Sequence, residues 1–83
     1  MFHKIKSISP LTDFKLSVQF CEGVTKLYDT KPLFKKLPVF AQLKDHPKDF
    51  SSVTVDVAGY GIVWNDDLDL SCDELWEYGL ELC

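Results

Sequence analysis

The chain has 83 residues, 46% of them hydrophobic and 27% charged, with a formal net charge of −4; this fits one small domain over residues 1–83 and excludes an intrinsically disordered segment. Its longest apolar run, eight residues over 57–64 broken by two glycines, falls far short of the ~20 that a spanning helix needs, and the opening Met1-Phe2-His3-Lys4-Ile5-Lys6 lacks an apolar secretory core, so a cytoplasmic, membrane-free protein is expected. All nine basic residues are lysines within residues 1–50, where five acids oppose them, and the eight acids beyond residue 50 stand without a base, so a +4 part faces a −8 part and direct base readout, which relies on arginine forks, is disfavoured.

In chain order, Phe2 to Ile8 reads as a first strand closed by Ser9-Pro10. Phe14 to Phe20 alternates strictly, which places Phe14, Leu16, Val18 and Phe20 on one buried face. Cys21-Glu22-Gly23 supplies a turn with Gly where positive φ is needed, and Val24 to Tyr28 returns as the partner strand. These three strands form an antiparallel meander. Leu33, Phe34 and Leu37 then recur at helical spacing behind Thr30 as N-cap, with Pro32 tolerable in the first turn. Pro38 ends that piece, Val39, Phe40 and Leu43 mark a second, and Asp45-His46-Pro47 turns the chain so that Phe50 is delivered inward. The result is a short broken helix over the sheet.

Val53, Val55 and Val57 alternate with polar residues, and after Ala58-Gly59-Tyr60-Gly61 come Ile62, Val63 and Trp64, a second hairpin ended by Asn65-Asp66-Asp67. A helix start is then written in full. Ser71 as N-cap and Glu74 three residues later form a capping box, with Leu70 and Leu75 at the staple positions. The C-terminal helix is expected from Cys72 to Tyr78, with Gly79 in a left-handed C′ position. The expected fold is α+β, an antiparallel sheet of about five strands made of the meander and the second hairpin, covered by the broken helix and the C-terminal helix.

Chemistry-bearing residues are sparse. Cys21, Cys72 and Cys83 match no Cys-x-x-Cys pair and suit a reducing compartment; a thiol at the start of a helix is activated, but Asp73 and Glu74 oppose that at Cys72. Asp67, Asp69, Ser71 and Asp73 alternate like a calcium loop, yet Cys72 and Tyr78 stand where its Gly and bidentate Glu belong, so no tight metal site is expected. His3 and His46 have no nucleophile or carboxylate motif beside them, and Gly59-Tyr60-Gly61 lacks phosphate-loop spacing. No catalytic residue and no cofactor is assigned.

Eleven aromatics in 83 residues are a heavy load for a small core. Phe14, Phe20, Phe34, Phe40 and Phe50 fall on the inner faces, whereas Tyr60, Trp64, Trp76 and Tyr78 cluster in the acidic part, and interfaces are enriched in such residues. The interaction candidates are therefore Trp76 and Tyr78, then Trp64, with Glu77 and Glu81 as a charged rim that suits a basic protein partner. Unpaired sheet edges also make a homodimer an expectation.

The stretches Phe20-Cys21-Glu22-Gly23, Tyr28-Asp29-Thr30-Lys31-Pro32-Leu33, Phe40 with Leu43-Lys44-Asp45, Gly61-Ile62-Val63-Trp64 and Asp69-Leu70-Ser71 with Glu74-Leu75 resemble domain-of-unknown-function family 2442 over nearly the whole chain. The resemblance implies a small bacterial protein with an α+β sheet. It also implies an arrangement beside another small protein that looks like a toxin and antitoxin pair; Cys21 departs from the asparagine-containing turn of the family. The functional expectation is a non-catalytic protein-interaction module, antitoxin-like in character, with a DNA-associated regulator and a small enzyme as alternatives.

Overall fold

The computed structural model describes residues 3–65 and 68–82, and of Leu82 the backbone alone. Strand β1 (Ile5–Pro10) pairs antiparallel with β2 (Lys15–Phe20), which pairs with β3 (Thr25–Asp29). Period-two alternation sets the faces: Leu16, Val18 and Phe20 are buried, and across the ladder Leu16 meets Tyr28 while Val18 meets Lys26. Gly23 takes φ +90° in the connecting turn, a value that residues with a side chain rarely adopt. The expected meander is present, but its first strand runs on through Ser9 and Pro10, and Phe2 lies outside the described residues. Phe14 is not the first inward residue of β2: with Asp13 it sits in a left-handed turn, at φ 57° and 61°.

The broken helix also forms, as α1 (Lys31–Lys36), a 3₁₀ turn (Pro38–Phe40), α2 (Ala41–Asp45) and α3 (Pro47–Phe50). Proline at residues 32, 38 and 47 opens each piece but α2, because it lacks an amide hydrogen and biases its predecessor toward extended backbone; Leu37 accordingly has φ −128° and ψ 96°. Leu33, Phe40, Leu43 and Phe50 are buried, whereas Leu37 and Val39 are exposed. Thr30 stands at the N-cap position but does not cap: its buried hydroxyl donates to the Phe14 carbonyl at 2.6 Å. The Asp29 carboxylate instead accepts from the Lys31 amide at 3.0 Å.

The second hairpin is shorter than its valine pattern suggested, β4 (Thr54–Val55) against β5 (Gly61–Asn65). Val57 falls in the connecting turn and is fully exposed. There Asp56 organises the backbone, its carboxylate accepting from the Ala58 and Tyr60 amides at 3.0 Å each. Two further strands appear. β6 (Leu68–Ser71) pairs with β5, and after α4 (Cys72–Tyr78) the chain returns as β7 (Leu80–Leu82) along β3. The α+β, antiparallel character holds, but the strands divide between a four-stranded sheet, β1-β2-β3-β7, and a three-stranded sheet, β4-β5-β6. A bond from the Ile5 amide to the Gly59 carbonyl at 2.8 Å joins the two. Helix α4 packs on β3, β5 and β6, so that Leu75 is fully buried in one core with Phe20, Ile62 and Leu68. Among the described residues no helix is long and apolar enough to cross a membrane.

Candidate functional site

Helix α4 begins where the capping signal places it. The Ser71 hydroxyl accepts from the Glu74 amide at 3.2 Å, and Leu70 and Leu75 are both buried as a staple. Glu74 does not complete the reciprocal half of the box. Its carboxylate accepts the Tyr28 hydroxyl at 2.8 Å, tying α4 to β3. Burial first, and the Glu74 carboxylate second, push the Tyr28 phenol well above its ordinary value. The end of the helix departs from expectation as well, because Gly79 has φ −78° and ψ 152°, extended backbone instead of left-handed. What Gly79 supplies is room: a Cβ there would lie 2.5 Å from the Leu75 carbonyl oxygen and 3.1 Å from Lys26 Cβ.

The interaction candidates separate sharply. Trp64 is buried at 9% exposure, packed between Phe40 and Phe50 with its indole N–H donating to the Phe50 carbonyl at 3.1 Å. It is core, and its place among the surface candidates is corrected. A single backbone acceptor satisfies the polar atom of an otherwise apolar ring, which is the usual condition for burying Trp. Trp76 is half-buried. The His3 ring stacks on it at 3.5 Å and 2°, the Lys26 ammonium lies 4.2 Å from its centre, and Phe20 meets it edge-on at 4.9 Å. His3 in turn hydrogen-bonds with Glu22, and Lys26 donates to the Trp76 carbonyl. The ring that was to face a partner is thus engaged within the chain.

Tyr78, Glu77 and Glu81 are exposed. Tyr78 at 65% and its neighbour Leu80 at 69% are the most exposed large apolar side chains apart from Val57 among the described residues. Together they edge a groove of about 380 Å³ lined also by Leu27, Pro32 and Leu33, by the Tyr28–Glu74 pair, and by Asp29, Lys15 and Lys36. Leu80 and Leu27 face each other in the β7–β3 register. Leu80 and the groove were missed in the sequence because a three-residue strand is too short to display a period; the alternation of Leu80, Glu81 and Leu82 was its only trace.

The other candidate chemistry does not assemble. Cys72 is buried at 1% exposure, and burial, with Asp73 behind it, pushes its thiol up, opposite to activation. Asp66 and Asp67 of the acidic run lie outside the described residues, and among the described residues no three His, Cys, Asp or Glu side chains gather as a metal-holding group. The geometry offers an apolar groove whose lining carries charges of both signs, with Glu77 and Glu81 exposed on the same segment of chain.

No curated protein and no solved structure matches the chain. A family model does match, over residues 5–81. The chain therefore belongs to the family described as "Protein of unknown function (DUF2442)".

Proposed function

We propose that the chain is a non-catalytic protein-binding module that presents the corner of α4 and β7 to a partner. The observation that carries this reading is Tyr78 and Leu80, two large apolar side chains about two-thirds exposed at one corner and edging a groove. Solvent contact with such groups is unfavourable, and Tyr is enriched at interfaces because it combines a large apolar body with a polar tip. Glu77, next to Tyr78 in the chain, suits basic residues on the partner, while Glu81 alternates to the face of β7 opposite Leu80, and Lys15 and Lys36 of the groove suit acidic ones, the charges acting on specificity and rate of encounter. The adjacent small protein that the family resemblance implies is the first candidate, which makes the module antitoxin-like. A cytoplasmic setting belongs to the same reading, in keeping with three cysteines whose spacing forms no Cys-x-x-Cys pair.

The test is affinity capture from the native host in parallel with wild type, Tyr78→Ser/Leu80→Ser and a Val57→Ser surface control. A partner held by wild type and control but lost by the double variant, with affinity falling as salt rises, supports the reading. A partner held equally by all three would overturn it, and capture of DNA through the lysine-bearing part would favour the regulatory alternative.

A further inference from the structure

A second cavity of about 380 Å³ opens where the turn before β2 meets α1 and α2, away from the Tyr78–Leu80 groove. Its position depends on unusual backbone. Asp13 and Phe14 are consecutive residues with positive φ, a conformation disfavoured for a bulky side chain and retained only where the surroundings hold it. Here they do. The Thr30 amide and hydroxyl both donate to the Phe14 carbonyl, at 3.1 and 2.6 Å, and Lys31 donates to the Asp13 carbonyl and carboxylate at 3.1 and 2.6 Å. The turn sets the Phe14 ring edge-to-face against Phe34, centroids 5.4 Å apart at 86°.

Both rings are only half-buried, and both line the cavity, with the small side chain of Ala41 leaving space beside them. Phe14 also meets Phe50 edge-on, at 5.3 Å and 73°, so what the pair offers a ligand is the ring surface these contacts leave open, which accepts another flat ring. The lining carries four charged residues, Asp13 and three lysines. Lys31 is neutralised by Asp13 and Asp29, at 2.6 and 3.5 Å. Lys35 and Lys44 are exposed and make no ion pair or hydrogen bond among the described residues. An apolar pocket with a few convergent charged groups is the usual form of a small-molecule site.

We propose that this cavity binds a small aromatic carboxylate, its ring against Phe14 and Phe34 and its anionic head facing Lys35 and Lys44. The apolar walls select a flat ring, the two uncommitted ammonium groups select a negative head, and the cavity's size selects a small molecule. The site is independent of the α4–β7 surface, so either reading can fail alone.

The experiment is a titration of ¹⁵N-labelled protein with 1-naphthaleneacetate and, separately, with its neutral amide. Saturable shifts centred on Phe14, Phe34 and Ala41, about tenfold tighter for the acid than for the amide, are expected. Lys35→Gln/Lys44→Gln, which alters exposed side chains only, should weaken the acid by about tenfold and leave the amide unchanged. Ala41→Leu, with a folded spectrum, should lose both. The absence of saturable shifts at millimolar ligand, shifts centred instead on Tyr78 and Leu80, or equal affinity for acid and amide in the wild type would overturn the proposal.

Discussion

Trp64 and Trp76 carry the same side chain into two different kinds of surroundings. Around Trp64 the neighbours are Phe40 and Phe50 and the one polar contact is a backbone carbonyl. Around Trp76 they are His3, Lys26 and Phe20, two of them polar groups laid on an indole that is still partly open to solvent. The first environment derives its stability from burial, which scales with apolar area removed from water; the second adds contacts between an aromatic face and a cation, worth about 0.5–1 kcal/mol where exposed and about 2 kcal/mol where desolvated, with Lys26 buried and Trp76 partly open. Removing each ring should expose the difference. Trp64→Ala is expected to destabilise by about 3–5 kcal/mol, as buried aromatics do, and Trp76→Ala by about 1–2 kcal/mol. Denaturant titration of both variants measures it, and equal losses would mean that Trp76 is as much a part of the core as Trp64.

The Trp76 side of the molecule depends on a close approach at Gly79, as the strand that carries Trp64 does at Gly61, where a Cβ would stand 2.6 Å from the Leu70 oxygen. Lys26, buried at 9% exposure, reaches the Trp76 carbonyl by passing Gly79, where a Cβ would stand 2.5 Å from the Leu75 oxygen. Gly79→Ala should therefore cost about 1–3 kcal/mol through overpacking. Gly79→Asn distinguishes the causes, since Asn tolerates a left-handed cap but needs the same space. An Asn variant markedly more stable than the Ala variant would restore the left-handed explanation.

What the sequence made legible follows from how strongly each signal repeats. Leu16, Val18 and Phe20 alternate over enough residues to define a face, and Ser71 with Glu74, Leu70 and Leu75 gives four concurrent marks of one helix start. Strand β6 was hidden because its last two residues, Leu70 and Ser71, are also the staple and cap of α4, and a four-residue strand that ends in a helix start displays the stronger signal. Phe14 looked like the first inward residue of β2 because its spacing fits; only the pull of Thr30 on its carbonyl, from 16 residues away, turns the backbone out of the strand. The same holds for the tryptophans. Trp64 ends a strand that was recognised, but its facing depends on Phe40 and Phe50, which tertiary packing alone brings there. Lys26 alternates as an inward residue of β3, yet nothing local announces that a lysine would find a carbonyl and an indole to cover it.

The two sides should also respond differently to alkali. The hydrogen bond of Trp64 ends on a backbone carbonyl, which does not titrate, whereas α4 is tied to the sheet by Tyr28 and Glu74. Burial raises the Tyr28 phenol above its unfolded value near 10. The folded state therefore keeps a proton that the unfolded state gives up, and this contribution is intact below pH ~10 and lost as pH rises beyond it, by up to about 1.4 kcal/mol per pH unit. The raised Cys72 thiol acts with the same sign, from nearer pH 9. In a Tyr28→Phe variant the loss of stability between pH 10 and 11 should be smaller than in wild type by about 1 kcal/mol. Parallel curves for the two proteins would mean that Tyr28 ionises alike in both states.

The smallest expected effect falls on the helix that carries Trp76. Ser71 accepts from the Glu74 amide at the first turn of a seven-residue helix, and a helix this short owes its order to its ends and its packing more than to propensity. Ser71→Ala leaves that amide without its acceptor and should lower stability by about 1 kcal/mol, the usual loss at an N-cap. The location of the effect matters more than its size. Leu75 and the Tyr28–Glu74 bond still anchor the body of α4, so the opening should be local to its first turn. Hydrogen exchange should accelerate at the amides of Asp73 and Glu74, with the Trp64 indole N–H and the β2 amides changing only as far as global stability falls. Uniform acceleration across both tryptophan environments would show that α4 does not open separately, and that the contrast between the two sides is one of composition and not of cooperativity.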